Sequence, residues 1–156
     1  MLKAENRHFK ISLIYSRRLL CNRILISLFN GQCEVAFTFY EQCLGGEIIE
    51  KMTYGKSPMA EQAPPELIDR IMHIQFVIGE VVIMGAAAPP EMFEQPQGFY
   101  VNLQFDTVAE AEKIYNALAE NGTVRMPFQE TFWVKRFAML IDRFGTPWMI
   151  NCDLPA

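Results

Sequence analysis

The sequence predicts an α+β fold made of two β-α-β-β-β modules, and three observations lead there. Strand-like runs alternate with two helical stripes, a glycine stop closes each stripe, and the order strand, helix, stop, three strands occurs twice. Phe105 follows Phe29 by 76 positions and Gly122 follows Gly45 by 77. The first module is read over residues 24–90 and the second over 99–152, within one structural domain. A chain of 156 residues suits that arrangement, as two small modules sharing a core.

Taken in order, Ile24–Phe29 is short and rich in β-formers. After Asn30-Gly31, the residues Cys33, Ala36, Phe37, Tyr40 and Leu44 recur at the spacing of one helix face. Gly45-Gly46 ends that helix, since glycine takes the left-handed conformation that closes a last turn. Glu47–Thr53 continues as a strand, and the polar, proline-bearing stretch from Gly55 to Pro65 reads as a long loop. Ile71–Ile78 and Val81–Met84 flank Gly79-Glu80 as a hairpin, and Ala86–Pro90 opens a second loop. Phe99–Phe105 is a strand. Thr107-Val-Ala-Glu110 is a capping box that starts a helix bearing Val108, Ala111, Tyr115 and Leu118 on one face, ended at Asn121-Gly122. The last stretch gives three extended segments, one ending near Glu130, one over Arg136–Ile141 and one over Thr146–Asn151, with Asp142–Gly145 as a turn.

Charge is uneven along the chain. Residues 1–23 hold six basic side chains against Glu5, a net of +5, so the remaining residues carry -9 of the overall -4. That acidic body argues against nucleic acid as a partner, because phosphate contacts need clustered lysine and arginine. The basic head has no clear period and stands as a peripheral N-terminal extension, an added strand or a consequence of start-site choice. Its apolar run Ile11–Tyr15 is cut by Arg17-Arg18, which does not suit a secretory signal. No window approaches the roughly 20 apolar residues of a membrane span. Cys21, Cys33, Cys43 and Cys152 show no CxxC spacing, and the chain reads as cytoplasmic with reduced thiols.

Two stretches carry a family likeness. Gln129-Glu-Thr-Phe-Trp133 and Asp142-Arg-Phe-Gly-Thr-Pro-Trp-Met-Ile-Asn151, with Asn30–Glu34, Phe39-Tyr40 and Leu44-Gly-Gly46, resemble the PhnB-type branch of the vicinal oxygen chelate superfamily. That superfamily includes glyoxalase I, the bleomycin-resistance proteins and extradiol dioxygenases. The likeness covers about residues 24–152. It implies paired modules whose curved sheets enclose a shared cavity, often completed in a homodimer, and binding of a small organic molecule there. In metal-dependent members a histidine or similar residue on the first strand and a glutamate on the last strand of each module supply the ligands. Here Leu25–Phe29 and Tyr100–Gln104 lack histidine, and Trp148-Met149 stands about where the glutamate would, so no standard metal ligands are assigned and any divalent cofactor is left open.

The branch has also carried the label 3-demethylubiquinone-9 3-methyltransferase-like. The common methyltransferases place a glycine-rich turn after their first strand, whereas Gly45-Gly46 here ends a helix, and no GxGxxG or GxxxxGK[ST] occurs.

The candidate site residues follow from chemistry and from the likeness together. Glu130, beside Phe132 and Trp133, is a candidate general base or metal ligand, against the plainer role of a surface carboxylate. His73 alternates with apolar residues in Ile71–Phe76 and is a candidate for orienting a substrate or holding a metal, against that of a satisfied strand histidine. Trp133 and Phe132 are candidates to stack on a planar ligand, while Trp148 leans towards core packing. Asn102 and Gln104 put amides on one strand face, with Asn151 a further candidate. The function expected is binding of a small molecule in an aromatic-lined cavity. The alternative is a lyase- or isomerase-type enzyme using Glu130 as acid or base.

Overall fold

The computed structural model describes residues 25–153; the reading of the basic head at 1–23 lies outside them. In chain order the elements are β1 (Leu25–Phe29), α1 (Cys33–Leu44), β2 (Glu47–Thr53), β3 (Ile71–Ile78), β4 (Val81–Ala87), β5 (Val101–Phe105), α2 (Val108–Ala119), β6 (Thr123–Gln129), β7 (Arg136–Ile141) and β8 (Pro147–Cys152). They form two four-stranded sheets of identical order, β1-β4-β3-β2 and β5-β8-β7-β6. In each, the first strand runs parallel to the fourth and the other neighbours are antiparallel. This is the two-module α+β fold that the repeat predicts.

The repeat is exact at the helix stops, but in a different register from the one the glycines suggest. Gly45 (φ 76°) and Asn121 (φ 58°) both take the left-handed conformation, and each is followed by a glycine packed tightly against the neighbouring hairpin. A Cβ on Gly46 would lie 2.4 Å from the Val77 carbonyl oxygen, and one on Gly122 would lie 2.5 Å from that of Ile141. The first glycine therefore serves backbone conformation and the second serves close approach. Asparagine, which tolerates the left-handed region, replaces only the first. The counterpart of Gly122 is thus Gly46, at the offset of 76 that also relates β1 to β5 and β2 to β6.

Three further departures have local causes. β4 runs past Met84 to Ala87 because Ala86 and Ala87 pair with Leu28 and Phe29. The second-module strand begins at Val101, its first ladder partner to Trp148, leaving Phe99-Tyr100 outside. The stretch after β2 contains short 3-10 turns at Tyr54–Lys56, Ala60–Gln62 and Pro65–Leu67. The α2 capping box forms: Thr107 Oγ1 accepts from the Glu110 N–H at 3.3 Å and donates to the Glu110 carboxylate at 2.7 Å.

One core serves both modules. Phe29, Phe37, Tyr40, Ile74, Phe76 and Ile83 from the first join Ala111, Leu118, Leu140, Trp148 and Ile150 from the second. α1 lies so close to β4 that a Cβ on Gly85 would meet the Phe37 ring at 2.3 Å. The inner faces of both sheets are taken up by this core, which leaves one open outer face on each sheet.

A buried carboxylate pins the two modules together. Asp142 Oδ2 accepts from the Tyr40 hydroxyl at 2.7 Å and from Trp148 Nε1 at 2.8 Å, while Oδ1 accepts from the backbone N–H groups of Phe144 and Thr146 at 2.8 and 3.0 Å. The Tyr40 hydroxyl also lies 2.9 Å from Thr146 Oγ1, which is left to donate. Burial, then the adjacent Asp142 charge, pushes the Tyr40 phenol far above its ordinary value, so it remains a donor. Among the described residues Cys33, Cys43 and Cys152 are unpaired thiols; burial pushes Cys33 up to about 12 and Cys43 up to about 11, which makes them inert packing groups.

If this node couples the modules, Tyr40→Phe and Asp142→Ala will be strongly non-additive. In a denaturant-unfolding double-mutant cycle we expect a coupling of about 1.5–3 kcal/mol, the range for a hydrogen bond to a charged group. Additive losses would show that the two residues contribute independently.

Candidate functional site

Strand alternation and register decide which side chains share the outer face of the β5-β8-β7-β6 sheet. Asn102 stands opposite Met149 and Gln104 opposite Asn151; on the other side of β8, Met139 and Phe137 stand opposite the same two residues. Met126 and Gln129 complete these rows from β6. The face is therefore four carboxamides set among three thioethers and a phenyl ring. The Asn151 amide donates to the Asn102 side-chain oxygen, which links these two amides to each other. At the Ile141–Pro147 end, a depression of about 180 Å³ is bordered by Phe99, Tyr100 and Arg125.

The loop between β6 and β7 rims the opposite end. Thr131 and Val134 close it, through the Thr131 N–H to the Val134 carbonyl and the Val134 N–H to the Thr131 hydroxyl, at 3.3 and 3.2 Å. Trp133 is 48% exposed and meets Phe137 edge-on at 5.7 Å, which extends the apolar side of the outer face. Phe132 stands 94% exposed, touching Trp133 edge-on at 4.6 Å. Glu130 is 80% exposed and lies 3.8 Å from Arg136, an open ion pair worth roughly 0–1 kcal/mol. Its sequence neighbours Phe132 and Trp133 are not wrapped around its carboxylate.

His73 lies on the other sheet, with Gln75 and Val77 on the face away from the core, while Ile74 and Phe76 are buried. Glu50 stands opposite Gln75 and Met52 opposite His73. Gln75 Nε2 is 2.9 Å from both Glu50 Oε2 and His73 Nε2. The neighbouring outer positions are apolar: Met84 beside Gln75, then Ile26 and Leu28, exposed at 61% and 44%.

Within one chain, then, Asn102, Gln104, Trp133 and Phe137 belong to one outer face and its rim, and His73 belongs to the other. Glu130 stands at the rim of the first. Trp148 is in the core, as its leaning suggests. The methionines, Phe137 and Gln129 were not singled out from the sequence; alternation within Arg136–Ile141 was the available signal, but their company on one face depends on ladder register.

The first and last strands of the two modules present Ile26, Leu28, Val82, Met84, Asn102, Gln104, Met149 and Asn151 outward. Carboxamides and thioethers without a histidine or carboxylate do not suit a hard divalent ion. Among the described residues no group of three or more histidines, cysteines, aspartates or glutamates is arranged to hold a metal.

This sheet pairing is that of a known family. Residues 22–150 match the Glyoxalase/Bleomycin resistance protein/Dioxygenase superfamily. The chain belongs to this superfamily. It is 34% identical to Protein YjdN of Escherichia coli strain K12 over 131 residues, 79% of this chain and 89% of that protein. It is 40% identical to protein PA1353 from Pseudomonas aeruginosa, whose crystal structure superimposes with a TM-score of 0.79 over 85% of this chain and 98% of that one. A PhnB protein from Bacillus cereus shares the fold at 21% identity and a TM-score of 0.73, covering 85% and 99% of the two chains. Among the described residues, no helix is long and apolar enough to cross a membrane.

The two tryptophans differ enough in environment to be told apart in solution. Acrylamide should quench a Trp133 component readily and leave the Trp148 component almost untouched, and Trp133→Phe should abolish the quenchable part. Equal quenching of both would contradict the rim position of Trp133.

Proposed function

We propose that the protein binds a small organic molecule in a cavity walled by the outer face of the β5-β8-β7-β6 sheet of one copy and that of the β1-β4-β3-β2 sheet of a second. The observation that carries this reading is the composition of the first wall. Amides of Asn102, Gln104, Gln129 and Asn151 both donate and accept, and the methionines around them adapt to irregular apolar shapes. Trp133 supplies a planar stacking surface at the rim. Support for the second copy comes from the shared core, which takes up the inner face of each sheet and leaves both outer faces open, and from the exposed Ile26 and Leu28 on the face that would close the cavity. The modules 24–90 and 99–152 then act as the two kinds of wall, in a homodimer of the reducing cytoplasm.

In this reading no metal-dependent step is needed. The ligand is held by hydrogen bonds to its polar groups and by contact with the thioethers and rings, without being transformed. An enzymatic second reading, of the lyase or isomerase kind, gives Glu130 the role of acid or base; the favouring observation is that its carboxylate lies 3.8 Å from Arg136 on the loop that rims the outer face. Glu130→Gln leaving any turnover intact would remove that role.

Native mass spectrometry of the purified full chain tests the binding reading. The expected spectrum is a dimer with a retained organic mass, and Asn102→Ala with Trp133→Ala should lower its occupancy at least about tenfold, a loss of roughly 1.4 kcal/mol. A monomer, or an occupancy that these substitutions leave unchanged, would contradict the proposed cavity.

A further inference from the structure

The Glu50–Gln75–His73 cluster determines the hydrogen-bonding role of its imidazole. Glu50 is an acceptor when ionised, so the Gln75 group 2.9 Å from its Oε2 must be the NH2. That same nitrogen lies 2.9 Å from His73 Nε2. A carboxamide nitrogen has two protons and no lone pair to offer, so it gives one proton to Glu50 and the other to His73. In the neutral ring, His73 Nε2 is then the unprotonated nitrogen. The ring proton is on Nδ1.

Glu50 cannot replace Gln75 in this arrangement without a shift, since its Oε2 is 3.8 Å from His73 Nε2. The three residues lie on adjacent strands, fixed by the Glu50–Gln75 and Met52–His73 register. Met84 and Ile26 continue the same outer face beside Gln75. A lone pair occupied by Gln75 is a poor general base or metal donor, whereas Nδ1–H remains a donor.

We propose that Gln75, oriented by Glu50, is a positioning residue that holds His73 as an Nδ1–H hydrogen-bond donor, fitting the cavity wall for a ligand carrying a carbonyl or carboxylate oxygen. The ligand half of this inference rests on the cavity reading above; the tautomer half stands on the three side chains alone. It assigns His73 an orienting role and removes proton abstraction from it.

Long-range 15N–1H correlation NMR tests it directly, because the sequence has only two histidines and His8→Gln leaves a single imidazole. At a pH well above the usual histidine range, His73 Nε2 should resonate at the downfield position of an unprotonated ring nitrogen and Nδ1 at the upfield position of a protonated one. Gln75→Leu should shift the ring towards the Nε2–H form, and Gln75→Glu, which turns the donor into an acceptor, should shift it further. An Nε2–H tautomer in the parent protein, or a tautomer indifferent to both substitutions, would overturn the proposal. Stoichiometric Zn2+ shifting Nε2 would also overturn it, by making that nitrogen a metal ligand. Titration with benzoate should move the Nδ1 resonance and benzylamine should not. If neither probe moves it while the Nδ1–H form persists, the ligand role falls and the cluster is a cross-strand staple. That result is distinct from failure of the cavity itself, which the dimer mass reports.

Discussion

The Asp142 carboxylate is the constraint on which the rest of the structure depends. A buried carboxylate is tolerated only when it is fully hydrogen-bonded. Two of its four donors are backbone groups of its own turn, a third is Trp148 on the following strand, and the fourth is Tyr40 on the helix of the other module. Removing any side-chain donor leaves a buried charge short of a partner. The modules are therefore held by directional bonds as well as by apolar contact. The rings of Phe37, Phe39, Phe144 and Trp148 surround Tyr40 edge-on or tilted at 5.3–6.1 Å, which excludes water from the node.

That attachment has a geometric consequence. With the helix-covered faces committed to a common core, the two sheets each keep one open face. They differ in chemistry. One carries amides and methionines with an aromatic rim; the other is largely aliphatic, with the Glu50–Gln75–His73 cluster as its polar feature. A second copy related by a two-fold axis would bring unlike faces together twice, making two equivalent cavities per dimer. Glu130 and His73, on different sheets of one chain, would then approach a common ligand only from different copies.

Much of the fold was legible in the sequence because local rules govern it. Helix periodicity, the Thr107–Glu110 capping box and the paired glycine stops all act within a few residues, and the repeat made each module a check on the other. The pairing of Gly122 with Gly46, and not with Gly45, was hidden because asparagine stands at the left-handed position that Gly45 holds in the first module. The site was less legible. Asp142 reads locally as a turn residue, and nothing near it announces Tyr40, 102 positions away. Glu130 reads as a carboxylate among aromatics, but the chain leaves the sheet after Gln129 and the rings of Phe132 and Trp133 spread along the loop instead of enclosing it. Asn102 and Gln104 were placed on one face by alternation; their partners Met149, Asn151 and Phe137 depend on strand register, which a single sequence does not encode locally.

If unlike outer faces of two copies meet around a ligand space, an isotope-filtered NOE measurement will show it. A dimer mixed from chains labelled with 13C-methyl methionine and unlabelled chains should give intermolecular NOEs from the Met126, Met139 and Met149 methyls to Ile26, Leu28 or Val82 of the other copy. A chain that stays monomeric, or NOEs joining only like faces, would rule out that pairing.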